Sequence, residues 1–242
     1  MRYGLISDIH GNLEALEAVL NVLGKERTDA YLCIGDIVGY GADPKECIKI
    51  VRALKPRMLI AGNHEWGLLG LLDLDYFNEY AAEAIIWTRG VLGSSELEYL
   101  RSFKLSSSDT GMTLVHGTLD EPGEFRYILN TSDADRTLRL LKTVMCFVGH
   151  SHVPGIFAFD GKISGKVKGL KVKMEPGKKY VVNIGSIGQP RDGDPRASFA
   201  VYDEEVKTVE IKRISYNIEE AQAKILAAGL PERLASRLAK GQ

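Results

Sequence analysis

Short apolar runs alternate with segments of helical periodicity through the first half of this 242-residue chain. The runs RYGLIS, AYLCI and RMLIA (57–61) predict three short strands. Between them, residues 13–23 carry leucine and valine at helical spacing, and Pro44 begins a second predicted helix. Because continuously apolar strands need covering on both faces, this alternation predicts a buried, mainly parallel sheet.

The pattern changes toward the second half. Residues 66–101 are predicted to be helical, and apolar runs at 112–117 and 144–150 predict two more strands. From residue 153 onward, short segments of alternating polarity separated by turn residues predict antiparallel strands, followed by an amphipathic segment over 218–239. We expect these strands to pack against the first sheet within a single domain spanning residues 1–242.

Composition excludes several classes of protein. With 45% hydrophobic residues, 26% charged residues and a net charge of −1, the chain resembles ordinary globular proteins, and no stable nucleic-acid or membrane partner is expected. Met1 runs directly into the first predicted strand, so no secretory leader is expected. Cys33, Cys47 and Cys146 are interpreted as small buried hydrophobes in a reducing compartment, which predicts a cytoplasmic location. Oligomeric state is not readable, and a homo-oligomer remains an open alternative.

Every histidine of the chain lies just beyond an apolar strand-like run. The five are His10, His64, His116, His150 and His152. Asp36 follows the second predicted strand in the same way, and Asp8 and Asn63 precede His10 and His64. Each position has a local alternative, since Asp8 can cap a helix, Asp36 can serve a turn and Asn63 can adopt a left-handed turn conformation. Together they predict one ligand-binding rim, because open α/β sheets bind ligands at the carboxyl ends of their strands.

These residue types suit metal ions. Imidazole nitrogen and carboxylate oxygen are ligands for first-row metals such as zinc, iron, manganese and nickel. Two imidazoles on the single turn GHSH repel each other once protonated, and a metal explains their pairing. One carboxylate can also bridge two ions about 3.5–4 Å apart. No cysteine lies among these residues, which argues against a structural zinc site of the cysteine type.

Five motifs in order resemble the calcineurin-like metallophosphoesterases. They are Asp8-x-His10, Gly35-Asp36-x-x-Gly39, Gly62-Asn63-His64-Glu65, His116-Gly117 and Gly149-His150-x-His152. The stretches GDIVGYGADP and NIGSIGQPRDGDPRASFAVYD also resemble small prokaryotic members described as phosphodiesterases or phosphatases, so the likeness covers most of residues 1–203. The tail after residue 215 adds nothing to this assignment.

The resemblance implies a four-layer α/β/β/α sandwich with two mixed β-sheets around a dinuclear metal site. It implies that Asp8, His10 and His152 hold the first metal, that Asn63, His116 and His150 hold the second, that Asp36 bridges them, and that His64 is catalytic. The cofactors would be two divalent or trivalent ions, with manganese as the first expectation and iron, nickel, zinc, cobalt or magnesium as alternatives.

The expected activity is hydrolysis of phosphodiester or phosphomonoester bonds by a metal-bridging hydroxide, with His64 donating a proton to the leaving oxygen. A nucleotide or a phosphoprotein are candidate substrates, and neither the preferred ester nor the native metal can be read from the residues. The alternative from another class is a non-catalytic scaffold of the same fold that binds protein partners.

Two further residues are predicted to contact substrate. Arg191 follows Pro190, which restricts the backbone, and a fixed guanidinium can hold two phosphate oxygens of the scissile or a second phosphate. In the same loop, a pairing of Asp192 with Arg196 is an alternative that merely braces the chain. Asn12 is either the N-cap of the first helix, which the sequence favours, or a substrate contact.

Three features keep open alternatives. Glu65 either tunes His64 or the metal ligands, or is only an acid at a helix start. Tyr40 either lines the pocket or packs in the core. Residues 162–179 hold seven lysines, which favours a solvated hairpin whose lysines protect an edge strand, with steering of anionic substrates as the alternative.

Overall fold

The computed structural model describes residues 1–109 and 111–242. The strands are β1 (Arg2–Ile6), β2 (Ala30–Cys33), β3 (Met58–Leu59), β4 (Ser106–Ser108), β5 (Met112–Val115), β6 (Met145–Val148), β7 (Gly155–Phe159), β8 (Ser164–Lys166), β9 (Lys171–Lys173), β10 (Lys179–Asn183), β11 (Ala197–Asp203) and β12 (Thr208–Ile214). The helices are α1 (Leu13–Lys25), α2 (Pro44–Leu54), α3 (Asn63–Leu69), α4 (Glu79–Val91), α5 (Ser94–Arg101), α6 (Thr131–Leu140), α7 (Ile218–Ala227) and α8 (Glu232–Ser236). Short 3-10 helices span Leu74–Tyr76, Pro122–Glu124 and Leu238–Lys240.

Two mixed sheets of six strands each form the centre of the molecule. The first has the order β3-β2-β1-β11-β12-β9 and the second the order β4-β5-β6-β10-β7-β8. In the first sheet β1, β2 and β3 run parallel, whereas β11, β12 and β9 continue it in antiparallel fashion. In the second sheet β5, β6 and β10 run parallel. The predicted parallel strands are therefore confirmed, and they are shared between two sheets.

Apolar layers on both sides of each sheet explain this arrangement. Between the sheets, Leu5 and Leu32 of the first meet Phe147 and Val182 of the second in one fully buried cluster. On the outer face of the first sheet, α1 and α2 contribute a second cluster, and α6 covers the outer face of the second sheet. Because each sheet is apolar on both faces, helices must cover the outsides. The predicted four-layer α/β/β/α sandwich is confirmed.

The second half of the chain departs from the expected pattern in two ways. Its strands do not form one antiparallel addition, because β10 pairs in parallel with β6. The lysine-rich segment is also not one hairpin. β8 pairs with β7 in the second sheet, whereas β9 pairs with β12 in the first. Both strands are outermost in their sheets, so the expectation of lysines beside an edge is met, at two edges instead of one.

The three cysteines are buried free thiols, as predicted, and burial raises the pKa of Cys33 to about 12. Within residues 1–109 and 111–242, no helix is long and apolar enough to cross a membrane. The cytoplasmic location and the extent of one domain over residues 1–242 stay predictions.

Candidate metal centre

The loops that leave the parallel strands bring the predicted residues together. Asp8 and His10 follow β1, Asp36 follows β2, Asn63 and His64 begin α3 after β3, and loops after β5 and β6 supply the rest. All are buried: Asp8, His10, Asp36, Asn63, His64, His116, His150 and His152. The strand-end prediction is thus confirmed for position, since residues from both sheets meet at one rim.

Their ligand atoms form two groups that share one carboxylate. The Asp8 group consists of Asp8, His10, Asp36 and His152, and the His116 group consists of Asp36, His116 and His150. In each group, one nitrogen or oxygen from every member lies within 4.8 Å of the others. Asp36 belongs to both, which is the position that a bridging ligand requires.

Asn63 directly follows Gly62, which lies against the His116 group. A Cβ added at Gly62 would stand only 2.1 Å from Asp36 Oδ1 and 2.8 Å from the His116 ring. Glycine is therefore required at position 62 for the helix start to approach both ligands. The amide oxygen of Asn63 is buried and has no hydrogen-bond partner among the described residues. A buried acceptor left without a donor is costly unless something else binds it.

Main-chain carbonyls orient three of the imidazoles. Nδ1 of His10, His116 and His152 each lies within hydrogen-bond distance of a carbonyl oxygen, which can only accept. These oxygens belong to Val38 at 3.0 Å, Ile34 at 2.6 Å and Gln189 at 2.5 Å, respectively. Nδ1 must therefore carry a proton in all three rings, so Nε2 of a neutral ring, as in His10 and His152, turns its lone pair toward the centre. This second-layer contact is typical of metal-ligating histidine.

The inward-facing nitrogens need a cation or a proton between them. Nε2 of His10 and Nε2 of His152 are 3.1 Å apart, and His152 Nε2 is 3.2 Å from Asp8 Oδ1. Nε2 of His150 is buried without any hydrogen-bond partner among the described residues. Facing lone pairs, an orphaned imidazole nitrogen and the orphaned Asn63 oxygen form a nitrogen-and-oxygen donor set that fits first-row metal ions.

Burial and neighbouring charges give the histidines of the centre different pKa values. Burial lowers the pKa of His10 and His152 well below the usual value and lowers that of His150 to about 3, so all three are neutral and ready to ligate. Burial also opposes charge on His116, but the carboxylates of Asp36 and Asp8 outweigh it and raise the pKa of His116 to about 10. Before a cation binds, His116 is therefore the proton carrier of the cluster.

The ligands occupy strained backbone. Asp8, His10, Asp36, His150 and His152 have φ between 50° and 66°, a left-handed region that favours glycine. Each such residue costs about 1–3 kcal/mol, and such outliers cluster at functional sites. Main-chain hydrogen bonds between the loops help to keep them there, including Asp8 N to the Gly35 carbonyl and His10 N to the Asp36 carbonyl, each at 3.0 Å.

Glu65 holds the loop that carries Asp36. Its buried carboxylate accepts hydrogen bonds from the backbone N–H groups of Asp36, Ile37 and Gly62 at 2.8 Å and of Val38 at 3.3 Å. Burial and the charge of Asp36 raise the pKa of Glu65 to about 7. Both alternatives left open by the sequence therefore apply, because Glu65 is an acid at the start of α3 and it positions a ligand. Three of its four donors come from the distant Asp36 loop, which no local pattern reveals, and the fourth is the helix-start N–H of Gly62.

His64 lies beside the ligand groups, outside both of them. Its ring centroid is 4.7 Å from that of His10 and 4.5 Å from that of Tyr40. Its backbone N–H donates to Asp36 Oδ1 at 2.9 Å, and its Nδ1 has no partner among the described residues. Burial lowers the pKa of His64 to about 4. The structure thus places a neutral, free imidazole next to the centre.

Tyr40 and Arg191 form one edge of the site. Tyr40 is buried, and its ring centroid lies 4.6 Å from that of His10. Arg191 Nη2 donates to the Tyr40 hydroxyl at 3.2 Å and to Gln189 Oε1 at 2.9 Å. Both expectations for Tyr40 are therefore met, since it packs in the protein and borders the site. Tyr40 contacts both Arg191 and His64.

The structure contradicts the expected Asp192–Arg196 pairing and assigns Asn12 its helix-capping role. The pairing of Asp192 with Arg196 is wrong: Arg196 pairs with Asp194 at 2.7 Å, and Asp192 pairs with Arg213 because β12 runs beside this loop. Asn12 is the N-cap of α1, since its Oδ1 accepts from Ala15 N at 3.1 Å. Its Nδ2 donates to the Gly188 carbonyl at 2.9 Å, and a substrate contact for Asn12 stays a prediction.

Comparisons with known proteins agree with this geometry. A family model for the calcineurin-like phosphoesterase superfamily domain matches residues 1–207. An uncharacterized protein of Methanocaldococcus jannaschii, MJ0912, is 39% identical over 242 residues, which is 98% of this chain and 97% of that protein. A metallophosphoesterase from Sphaerobacter thermophilus is 40% identical with a TM-score of 0.87, covering 100% of this chain and 99% of that one.

A second solved structure shows the fold alone. The hypothetical protein PH1004 from Pyrococcus horikoshii OT3 is 24% identical, with a TM-score of 0.81, over 100% of this chain and 98% of that one. The family match covers every ligand loop described above and all strands except β12. The chain therefore belongs to the calcineurin-like phosphoesterase superfamily.

Proposed function

We propose that this protein hydrolyses phosphate esters at a dinuclear metal centre, in which the Asp8 group and Asn63 with the His116 group each hold one ion and Asp36 serves both. The observation that carries the proposal is the shared carboxylate between two buried donor sets, with a free imidazole beside them. When bound, two cations offset phosphoryl charge and lower the pKa of water. The likeness to the Sphaerobacter thermophilus metallophosphoesterase supports the same activity.

His64 is the proposed proton donor to the leaving oxygen. Burial keeps its imidazole neutral in the ligand-free protein, with a pKa of about 4. An anionic phosphate bound beside the ring favours the charged form and raises this pKa, so the proton is taken up as substrate binds. Arg191 opposes that charge in the free protein, and pairing of its guanidinium with phosphate removes the repulsion.

The decisive test combines turnover with metal analysis. We expect the manganese-loaded protein to hydrolyse bis(p-nitrophenyl) phosphate. His64→Ala should keep both ions, while kcat falls by roughly 100- to 10,000-fold, the usual contribution of a general acid. Loss of an ion from His64→Ala would contradict the division between ligands and catalytic histidine. A wild-type protein with two bound ions and no turnover would support the non-catalytic scaffold instead.

Arg191 is proposed to hold a phosphate oxygen of the substrate. A diester carries one negative charge and a monoester two, so Arg191→Ala should raise KM more for p-nitrophenyl phosphate than for bis(p-nitrophenyl) phosphate, with metal content unchanged. The matched control is Arg196→Ala in the same loop, whose guanidinium is already paired with Asp194. Equal losses of Arg191→Ala on both esters would remove the charge argument. Manganese as the native metal remains a prediction.

A further inference from the structure

A cavity of about 390 Å³ lies between the loop that follows β5 and the start of α6. Thr118 and Tyr127 line it from the loop, and Ser132 and Arg136 line it from the helix. None of these four residues belongs to either ligand group. The volume is in the range of protein sites that hold small organic molecules.

Two contacts join the wall of this cavity to the His116 group. The Tyr127 ring lies parallel to the His150 ring, with the centroids 4.2 Å apart and the planes 8° apart. Gly117 directly follows His116, and a Cβ added at Gly117 would stand 2.6 Å from the carbonyl oxygen of Arg126. The main chain just before Tyr127 is therefore held against the His116 loop, and the Tyr127 ring is held against His150.

The Tyr127 ring keeps one face free. The side chain is 47% exposed although one of its faces is covered by His150. The exposed part is therefore the other face and the edge of the ring. Flat aromatic rings pack favourably on such a face, and a ring that is already fixed by its neighbour loses little freedom when it is stacked upon.

The charges that line the cavity offset one another. Arg126 Nη1 donates to Asp120 Oδ2 at 2.8 Å, and Arg136 Nε lies 2.8 Å from the same oxygen. Asp133 also lines the cavity, so two guanidinium groups stand beside two carboxylates. A phosphate in this cavity would face both carboxylates. An uncharged group that donates and accepts hydrogen bonds would instead find partners of either kind.

We propose that Tyr127 and Arg136 form a subsite for the organic group of the phosphate-ester substrate, and that this group is a flat, uncharged ring with hydrogen-bonding edges, as in a nucleobase. This inference rests on the proposed function and names its substrate class. The ring stacks on the free face of Tyr127, and its edge accepts hydrogen bonds from the exposed guanidinium of Arg136. Because Tyr127 contacts the ligand His150, the phosphate and the ring can belong to one molecule.

The test uses three non-hydrolysable phosphonates on the full-length protein saturated with manganese. The first is the adenosine phosphonate in which a CH₂ group replaces the ester oxygen of AMP. In 5-phenylpentylphosphonate the ring has no hydrogen-bonding edge, and pentylphosphonate has no ring. Calorimetry measures the three Kd values. We expect Tyr127→Ala to weaken the adenosine phosphonate by roughly 5- to 100-fold, the usual range for stacking of a base on an aromatic side chain.

The same variant should also weaken 5-phenylpentylphosphonate and should change the Kd of pentylphosphonate by less than about twofold, because only the first two probes carry a ring. Tyr127→Phe keeps the aromatic face and should bind the adenosine phosphonate within about twofold of the wild-type protein. Loss of a phosphate contact, by contrast, would weaken all three probes alike.

Arg136→Gln tests the recognition of the ring edge. It should weaken the adenosine phosphonate about tenfold, the scale of one charge-assisted hydrogen bond, and leave 5-phenylpentylphosphonate unchanged. Asp120 keeps its contact with Arg126 in this variant. The matched control is Arg139→Gln on the same helix, since Arg139 pairs with Asp135 at 2.6 Å and does not line the cavity.

The outcomes are distinct from those of the activity test. Equal weakening of all three probes by Tyr127→Ala, no weakening of any, or an equal loss in Tyr127→Phe overturns the subsite. Equal effects of Arg136→Gln on both ring-bearing probes overturn the nucleobase assignment. The expected selectivity supports the subsite even without turnover, because calorimetry measures binding alone. Hydrolysis of bis(p-nitrophenyl) phosphate without that selectivity would retain the proposed function and remove the subsite.

Discussion

The two ligand groups differ in how firmly the protein holds them before any ion is bound. In the Asp8 group, His10 and His152 are oriented by backbone carbonyls, and Asp8 accepts from the Ser7 hydroxyl at 2.5 Å and from His150 N at 3.0 Å. In the His116 group, only His116 has such a carbonyl partner. The oxygen of Asn63 and Nε2 of His150 have no hydrogen-bond partner among the described residues.

The difference in orientation predicts unequal affinities of the two ligand groups for their ions. Ligands that are already oriented lose little conformational freedom when an ion arrives, whereas free side chains must be ordered by it. The His116 group carries a second cost, since His116 must release its proton before Nε2 can ligate. We therefore expect the Asp8 group to bind its ion more tightly. The predictions below test this comparison.

The largest effect is expected for Asp36, which belongs to both ligand groups. Asp36→Asn keeps the shape of the side chain but removes the charge that both groups share, so both ions should be lost and kcat/KM should fall by at least about a thousandfold. Metal analysis and hydrolysis of bis(p-nitrophenyl) phosphate measure the two effects. Asp194→Asn is the matched control, because that carboxylate pairs with Arg196 away from the ligands. Retention of both ions would show that Asp36 is not shared.

Removing one histidine from each ligand group should show which group binds its ion more tightly. His150→Ala should lose activity and retain about one ion, because the oriented Asp8 group remains, whereas His152→Ala should retain less than one at the same metal concentration. Titration with a chelator, followed by metal analysis, measures the occupancies. More metal retained by His152→Ala than by His150→Ala would contradict tighter binding at the Asp8 group.

Proton release should distinguish the groups without any mutation. At pH 8 His116 is protonated, since its pKa is about 10, while His10, His150 and His152 are neutral. Binding at the His116 group should therefore release about one proton and strengthen about tenfold per pH unit up to that pKa, whereas binding at the Asp8 group should release none from its histidines. Calorimetry in buffers of different ionisation enthalpy counts the protons. Equal release for both ions would contradict this assignment.

The same raised pKa affects the stability of the metal-free protein. An unfolded histidine titrates near 6.5, so the stabilisation from His116 is fully present below about pH 6.5 and is lost as the pH rises through about 10. Chemical denaturation of metal-free protein at pH 6 and pH 9 should show the lower free energy of unfolding at pH 9. A higher value at pH 9 would argue that His116 is neutral.

The smallest effects are expected from the partners behind the ligands. Ser7→Ala removes a hydrogen bond that fixes Asp8 and should weaken the first ion by about tenfold, the lower end for such contacts. Tyr127→Ala removes only the ring stacked on His150 and should weaken the second ion by about threefold or less. Chelator competition measures both constants. A larger loss in Tyr127→Ala would mean that stacking orients His150 as firmly as a hydrogen bond does.

Much of the site was predictable because the signals are local. Each ligand loop follows an apolar strand, and the parallel order of β1, β2 and β3 brings the strand ends to one edge. The histidines after β5 and β6 follow the same rule in the other sheet. The residues brought to the centre and the buried thiols could therefore be predicted from local patterns, whereas the four-layer fold was predicted from the family resemblance of the motifs.

Other features depend on contacts between distant parts of the chain. Glu65 lies next to His64 in sequence, yet its role depends on N–H groups of the Asp36 loop. Asp192 pairs with Arg213 and not with Arg196, since only sheet pairing brings β12 beside that loop. The lysine-rich segment divides between two sheet edges for the same reason.

By itself, the sequence determined which side chains form the centre, because strand ends and glycine-flanked loops are short-range features that chain geometry carries to one rim. Which ring nitrogens face inward and which buried polar atoms remain without a partner among the described residues depend on the tertiary structure. Proton positions and burial depend on groups far apart in the sequence, and such interactions exist only once the sheets and helices have packed.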